Sequence, residues 1–254
     1  MSSAGASRMS EIAVDHLVGL NAGRVEARTL TEALAIDHRV LLRAAIPDAA
    51  AELTEAVETA QSLGILKRMA AIGAALHQHL PVEARDALAV HPSDTVRGWM
   101  CFAIAADTTL DAETLLLAIQ PFADDPRFTV REWVWMAVRP RLTSDLPGSI
   151  ELLIPWTREE SANLRRFASE SLRPRGVWAS HIAALKQNPA IGEPLLEPLR
   201  SDPSRYVQDS VANWINDAAK TNPEWARELC ERWRVESPTA ATTRITARAL
   251  RSLK

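Results

Sequence analysis

Apolar residues recur at i, i+3 and i+4 along most of the chain, the spacing that lines one face of an α-helix. Four stretches superpose on one another: "TVRGWMCFAIAAD" from Thr95, "TVREWVWMAVRPR" from Thr129, "NLRRFASESLRPR" from Asn163 and "YVQDSVANWINDA" from Tyr206. A degenerate fifth, "TTRITARALRSLK", starts at Thr242. With the second residue as marker, Val96, Val130, Leu164 and Val207 stand 34, 34 and 43 residues apart. The turns "HPSD", "DDPR" and "SDPS" precede three of these four. A period in this range, with a short Asp/Pro turn opening a helix, marks a HEAT-like repeat. A second set of helical patterns lies between: "DAETLLLAIQPF", "SDLPGSIELLIPW", "HIAALKQ", "IGEPLLEPLR" and "NPEWARELCERW". Toward the N-terminus, "LTEALAIDHRVLLRAA", "DAAAELTEAVETAQSL" and "ILKRMAAIGAALHQH" continue it less regularly. The pattern predicts an all-α, HEAT-like helical-repeat solenoid, a single α-α superhelical domain over residues 9–254 behind a disordered tail at 1–8.

The repeat also tells each residue which way it faces. At 100° per residue, marker positions +4 and +7 fall within roughly 40° of the marker and form the packed stripe. Trp133 and Trp214 therefore read as core aromatics. Positions +2, +6 and +9 fall opposite: Glu132, Met136 and Arg139, then Arg166, Glu170 and Arg173, then Asp209, Asn213 and Asn216. Side-by-side helices join such positions into one surface. Arg166 and Glu170 are either an ordinary solvated i,i+4 pair or part of a site. Trp135 lies about 140° from the core stripe, where an aromatic either packs under the next repeat or faces a ligand.

Composition adds little to the class and something to the partner. Of 254 residues 47% are hydrophobic and 24% charged, with 9 Gly and 1 Tyr, a balance that favours helix. The 15 Pro read as helix punctuation. Net charge is -3, which argues against a uniformly basic nucleic-acid binder. Residues 165–254, however, hold 15 Lys and Arg against 10 Asp and Glu, a basic end that suits an anionic partner. The 2 cysteines, Cys101 and Cys230, suggest neither disulfide nor metal, so the expected compartment is the reducing cytoplasm. No membrane-spanning run and no signal peptide are read. His77 and His79 in "LHQHL" splay apart on a helix and make poor metal ligands. His16, His38, His91 and His181 read as surface or capping residues. No phosphate-binding Gly-rich loop or nucleophile elbow is present, and no cofactor or metal is expected.

Three blocks carry a family resemblance: "R-E-W" at Arg131, "RRFASE-x-x-R-P-R" at Arg165 and "SVAN-x-x-ND-x-x-K" at Ser210. Over roughly Val96 to Trp233 the chain resembles the AlkC/AlkD superfamily of bacterial DNA alkylation repair proteins, and within it the AlkC branch. The resemblance implies a HEAT-like fold whose concave face binds duplex DNA. It also implies an N-glycosylase that removes cationic alkylated bases of the 3-methyladenine and 3-methylcytosine type. Glu132 in "VREW" and Glu170 in "FASE" match the branch's catalytic carboxylates, with Arg166 beside them. The chain departs at "RPRGVW", where "RPRLPW" is expected, though Trp178 is kept. It departs again where the AlkD branch carries a lesion-facing tryptophan, since Asn213 stands there. Some AlkC-type proteins carry an immunoglobulin-like domain, for which the residues after Trp233 leave no room.

The chemistry follows physically. A base alkylated at a ring nitrogen is already a good leaving group. As its bond to the sugar lengthens, a nearby carboxylate stabilises the oxocarbenium-like sugar and can activate water. Arg166 would hold Glu170 ionised, or meet a phosphate. Trp135, Trp178, Asp209 and Asn213 are the candidates for contact with the substrate base. For DNA phosphates the candidates are the +1 arginines Arg97, Arg131 and Arg165, together with Arg173, Arg175, Arg205 and Lys220. The competing role for a +1 arginine is a structural ladder to an Asp of the adjacent repeat. The competing role for the chain is a non-catalytic HEAT-like module that binds DNA or a protein. A monomer is expected.

Overall fold

The computed structural model describes residues 5–253. Among these residues there are sixteen α-helices and no strand. They are α1 (Val14–Asn21), α2 (Leu30–Leu34), α3 (His38–Ala45), α4 (Ala51–Ala60), α5 (Ile65–His79), α6 (Val82–Ala89), α7 (Asp94–Ala106) and α8 (Ala112–Ala123). The remainder are α9 (Phe128–Ser144), α10 (Leu146–Leu153), α11 (Ala162–Glu170), α12 (Ala183–Gln187), α13 (Glu193–Leu196), α14 (Arg205–Ala219), α15 (Pro223–Glu236) and α16 (Ala240–Ala249). The five marker segments are α7, α9, α11, α14 and α16, each followed or preceded by a helix of the second set. This is the HEAT-like alternation expected from the repeat. Among the described residues no helix is long and apolar enough to cross a membrane.

The backbone groups into two compact units that divide after Ala137, inside α9. In the first unit, α5 packs along α7 and α4 along α5. The approach of α5 to α7 is close enough to require glycine. A Cβ on Gly73 would stand 2.4 Å from the Phe102 Cβ and 2.6 Å from its carbonyl carbon. Leu53, Met69, Ile72, Leu76, Val96 and Trp99 fill this core without solvent exposure, and each such side chain contributes about 1.5–3 kcal/mol by burial. In the second unit, α14 packs on α11 and on α16. There Trp214 is fully buried, its indole donating to the Leu172 carbonyl at 3.0 Å. Gly192 makes room for that ring, since a Cβ there would lie 2.4 Å from its Cζ2.

Several local expectations need correction. "LTEALAIDHRVLLRAA" is two helices, because the Asp37 carboxylate accepts from the Arg39 amide at 2.9 Å and starts α3 afresh. Helices α1 and α6 are not among the helical stretches read from the sequence. Pro121 and Pro140 sit inside α8 and α9 rather than at helix ends. His38, read as surface or capping, is 1% exposed and accepts the Trp99 indole proton on Nδ1 at 3.0 Å. Burial, with help from Arg68, lowers its pKa to about 3. Residues 1–4 of the expected tail lie outside the described residues. Residues 5–8 are docked: Ala6 donates its amide to Glu32 Oε1 at 2.9 Å and accepts from the Thr29 hydroxyl at 2.7 Å.

Candidate functional site

The +1 side chains share one local geometry. Arg97 donates through Nη1 to the carbonyl of His91 at 2.7 Å, and Arg131 to that of Asp125 at 2.5 Å. Arg165 does the same to Glu159 at 2.9 Å, and Gln208 through Nε2 to Asp202 at 2.8 Å. In each case the acceptor lies six residues back, in the turn that opens the helix. Two of these arginines also reach an Asp of the next repeat turn. Arg97 binds Asp125 through Nε at 2.8 Å and Nη2 at 3.1 Å, and Arg165 binds Asp202 at 2.6 and 3.2 Å. Asp125 and Asp202 in turn accept the amides of Arg127 and Ser204, two residues on. Bidentate pairs of this kind hold geometry as well as charge. The geometry is that of the structural ladder, with most guanidinium donors of Arg97 and Arg165 already engaged.

Glu132 lies in the first unit, half-buried on α9. Its Oε2 accepts the indole Nε1–H of Trp135 at 2.8 Å, an i,i+3 pair on one face of the helix. Trp135 differs from the ligand-facing aromatic expected of it. It is 2% exposed, packed within the protein, and its polar edge holds Glu132 rather than a base.

Arg166, Glu170 and Arg173 come together in the second unit. Glu170 Oε1 meets Arg173 Nη1 at 2.7 Å and Arg166 Nη2 at 3.6 Å, while Oε2 accepts from the Ser210 hydroxyl at 2.7 Å. Ser169 adds a hydroxyl contact to Ser210 at 2.8 Å. Arg173 continues to Asp217 through Nε at 3.0 Å and Nη2 at 2.7 Å. The strip read as a polar surface is therefore buried here: Arg166, Glu170 and Arg173 are 7%, 4% and 9% exposed. Burial alone would raise the Glu170 pKa, but Arg166, Arg173 and the Ser210 hydrogen bond overcome it and hold the carboxyl below its usual range. Arg166 also lies over the Tyr206 ring at 4.7 Å, a cation–π contact.

A residue the sequence reading left unassigned closes this end of the cluster. Arg139, 3% exposed, donates to the carbonyls of Ser171 at 2.7 Å, Arg173 at 2.5 Å and Ser180 at 3.1 Å. Burial and the neighbouring Arg173 pull its pKa down to about 10. It thus ties the C-terminal end of α11 to the loop that carries Trp178. Trp178 itself is 46% exposed, with φ at 63°, the left-handed region that a non-glycine residue rarely takes. Arg175 donates to the Asp217 carbonyl at 3.1 Å, and exposed Lys220 pairs with Asp217 at 3.3 Å. Arg205 is exposed at the start of α14. Asp209 and Asn213, read as base-contacting, instead accept from arginines of the C-terminal segment. Only partners distant in sequence reveal Arg139, Ser210 and Asp217, although the recurring Asp of "DDPR" and "SDPS" did signal the ladder.

Comparison with known proteins bears on this arrangement. The chain matches no protein-family model. Over 74 residues it is 45% identical to YhaZ of Bacillus subtilis (strain 168), a protein described as uncharacterized, covering 29% of this chain and 21% of YhaZ. Among solved structures it is similar to Pseudomonas fluorescens alkylpurine DNA glycosylase AlkC bound to DNA containing an abasic site analog. That match has 25% identity and a TM-score of 0.69, and covers 98% of this chain and 65% of that one. AlkD2 from Streptococcus mutans matches at 18% identity and TM-score 0.61, covering 78% of this chain and 97% of its own. The smu.31 protein of Streptococcus mutans UA159 matches at 19% and 0.60, covering 78% and 98%. The chain thus spans just under two thirds of the AlkC structure and about a fifth of YhaZ. In fold it groups with the AlkC/AlkD superfamily, as its sequence motifs imply, and of these three structures AlkC gives the highest TM-score and covers the most of this chain.

Proposed function

We propose that this chain is a DNA N-glycosylase that removes cationic N-alkylated bases, of the 3-methyladenine and 3-methylcytosine type, from duplex DNA. One observation carries the reading. Glu170 is buried yet held below the usual carboxylate range by Arg166, Arg173 and Ser210. A buried charge set in such a network costs stability relative to apolar packing, and perturbed carboxylates of this kind concentrate at functional sites. The likeness to an alkylpurine DNA glycosylase bound to DNA supports the same reading.

The two glutamates take different parts. Both Glu170 oxygens are engaged by protein groups, so its part is to fix Arg166 and Arg173. Glu132 is the more exposed carboxylate, and its Oε2 accepts the Trp135 indole proton. It is the group assigned to the sugar. The base leaves as a neutral molecule, so no strong acid is needed. Positive charge builds on the deoxyribose, the Glu132 carboxylate stabilises it, and the same carboxylate takes a proton from the attacking water. Exposed Trp178 is assigned to the damaged base, and Arg175, Arg205 and Lys220 to phosphates. The working form is a monomer acting in the cytoplasm, at the nucleoid.

The test is single-turnover release of base from a duplex carrying one N3-methylcytosine. Release above the spontaneous rate is expected. Binding of the duplex without release would sink the enzyme and leave a DNA-binding module.

A further inference from the structure

The C-terminal helix carries cationic groups that the carboxylates around them do not neutralise. Arg244 and Arg248 lie on α16, and Arg251 on the single 3-10 turn that follows, Arg251–Leu253. Their spacing is i, i+4 and i+7, one face of a helix. Arg244 Nη2 and Arg248 Nε both bind the same oxygen, Asp209 Oδ1, at 2.7 and 2.9 Å. One carboxylate therefore serves two guanidinium groups. Arg251 has neutral acceptors: the Arg248 carbonyl at 2.8 Å and Asn213 Oδ1 at 2.9 Å. Three positive charges thus share one paired carboxylate, with Asp217 acting on Arg251 at longer range, and Arg248 and Arg251 are exposed. Burial, then Arg248, depress the Arg251 pKa, as expected where like charges crowd.

Placement strengthens the point. Asp209 and Asn213 sit at the +2 and +6 positions of α14, directly comparable with Arg166 and Glu170 on α11. In α14 these positions orient a row of arginines instead of forming a carboxylate cluster. From Arg244 to Arg251 the row runs about 11 Å, at 1.5 Å per residue along α16 and about 2 Å per residue beyond it. That is about three of the 3.4 Å steps between successive charges on one DNA strand.

We infer that Arg244, Arg248 and Arg251 form a phosphate-binding edge for the DNA backbone, with Asp209 and Asn213 as its positioning residues. This rests on the glycosylase reading and names which face takes the duplex. The edge contacts phosphates only and so contributes affinity without sequence preference.

The experiment is fluorescence anisotropy with an undamaged labelled duplex of about 20 base pairs, over a salt series, for wild type, Arg248→Gln/Arg251→Gln and Arg248→Lys/Arg251→Lys. Each phosphate contact contributes about 0.9 to the slope of log affinity against log salt. The glutamine variant should therefore lower that slope by about 1.8 and weaken binding on the order of 50-fold at 0.1 M salt. The lysine variant should keep most of the slope, which separates charge from damage to the fold. Wild type that binds with a slope unchanged in the glutamine variant overturns this edge and leaves the glycosylase reading standing. Wild type that fails to bind duplex at any salt overturns that reading, and the edge with it.

Discussion

At the scale of the residue, the side chain after each marker shows how one spacing serves two possible roles. Sequence placed Arg97, Arg131 and Arg165 at the rim of the polar face, where phosphate contact and a structural ladder look alike. Arg97 and Arg165 make the ladder, each to an Asp of the next repeat turn, and all three reach the carbonyl six residues back. Gln208, at the same position of α14, makes the same bond. The bond needs a donor rather than a charge. Arg165 is 14% and Asp202 4% exposed, so breaking this pair leaves a nearly buried carboxylate alone. Arg165→Ala should destabilise the protein by about 3 kcal/mol in urea unfolding. Its effect on the salt slope of DNA binding should be negligible, whereas a phosphate contact would lower that slope by about 0.9. Core positions were legible in full: Val96, Val130, Trp133, Val207 and Trp214 are all buried as the wheel requires. Trp135 was not, because a 100° wheel does not show what packs over a helix's far side.

Elements differ in how far their sequence announces them. The long helices α5, α8 and α9 carry two or more turns of apolar spacing and were legible to within a few residues. Of the short ones α10, α12 and α13 were read, but α1 and α6 were not, and α2 and α3 fell in one stretch, because five or eight residues hold few repeats of the pattern. Side-chain capping divides them instead, as at Asp37. The N-terminal segment is a further case. Residues 5–8 bury one small side chain, Ala6, and Glu32 on α2 holds them. Burial would raise the Glu32 pKa, but the amides of Ala6 and Arg28 and the side chains of Arg28 and His16 bring it to about 2. A carboxyl depressed in the folded state stabilises above its unfolded pKa of about 4.3 and loses that contribution as pH falls toward 2. Lowering from about 4.3 to about 2 corresponds to about 3 kcal/mol. In Glu32→Gln, amide hydrogen exchange of Ala6 should accelerate at neutral pH to the rate wild type shows near pH 2 after correction for intrinsic exchange. Unchanged protection in the variant would mean that the segment is held by other groups.

For the whole molecule, the repeat period and the motif blocks carried the fold class, because HEAT-like repeats are local units whose signature recurs along the chain. The candidate site was legible as a set of residues and not as an arrangement. Glu132, Arg166 and Glu170 were named from one strip; the i,i+3 partners Trp135 and Arg173 are local, but Ser210, which holds Glu170, and Asp217, which holds Arg173, are brought in by packing between helices. Acid stability is a property of the whole that sequence could not give. His38 titrates at 6.5 when unfolded and at about 3 when buried. A lowered histidine stabilises fully above pH 6.5, and that contribution is lost as pH falls from 6.5 toward 3. Unfolding free energy should drop by about 2 kcal/mol between pH 7 and 5 on this account, and His38→Gln should flatten that part of the profile. The central claim is that Glu132 meets the developing charge on the sugar, and one measurement tests it most directly. Single-turnover release of N3-methylcytosine from duplex DNA should fall at least 100-fold in Glu132→Gln, with duplex affinity and unfolding midpoint unchanged. Release at the wild-type rate by a folded, DNA-bound Glu132→Gln would contradict the account.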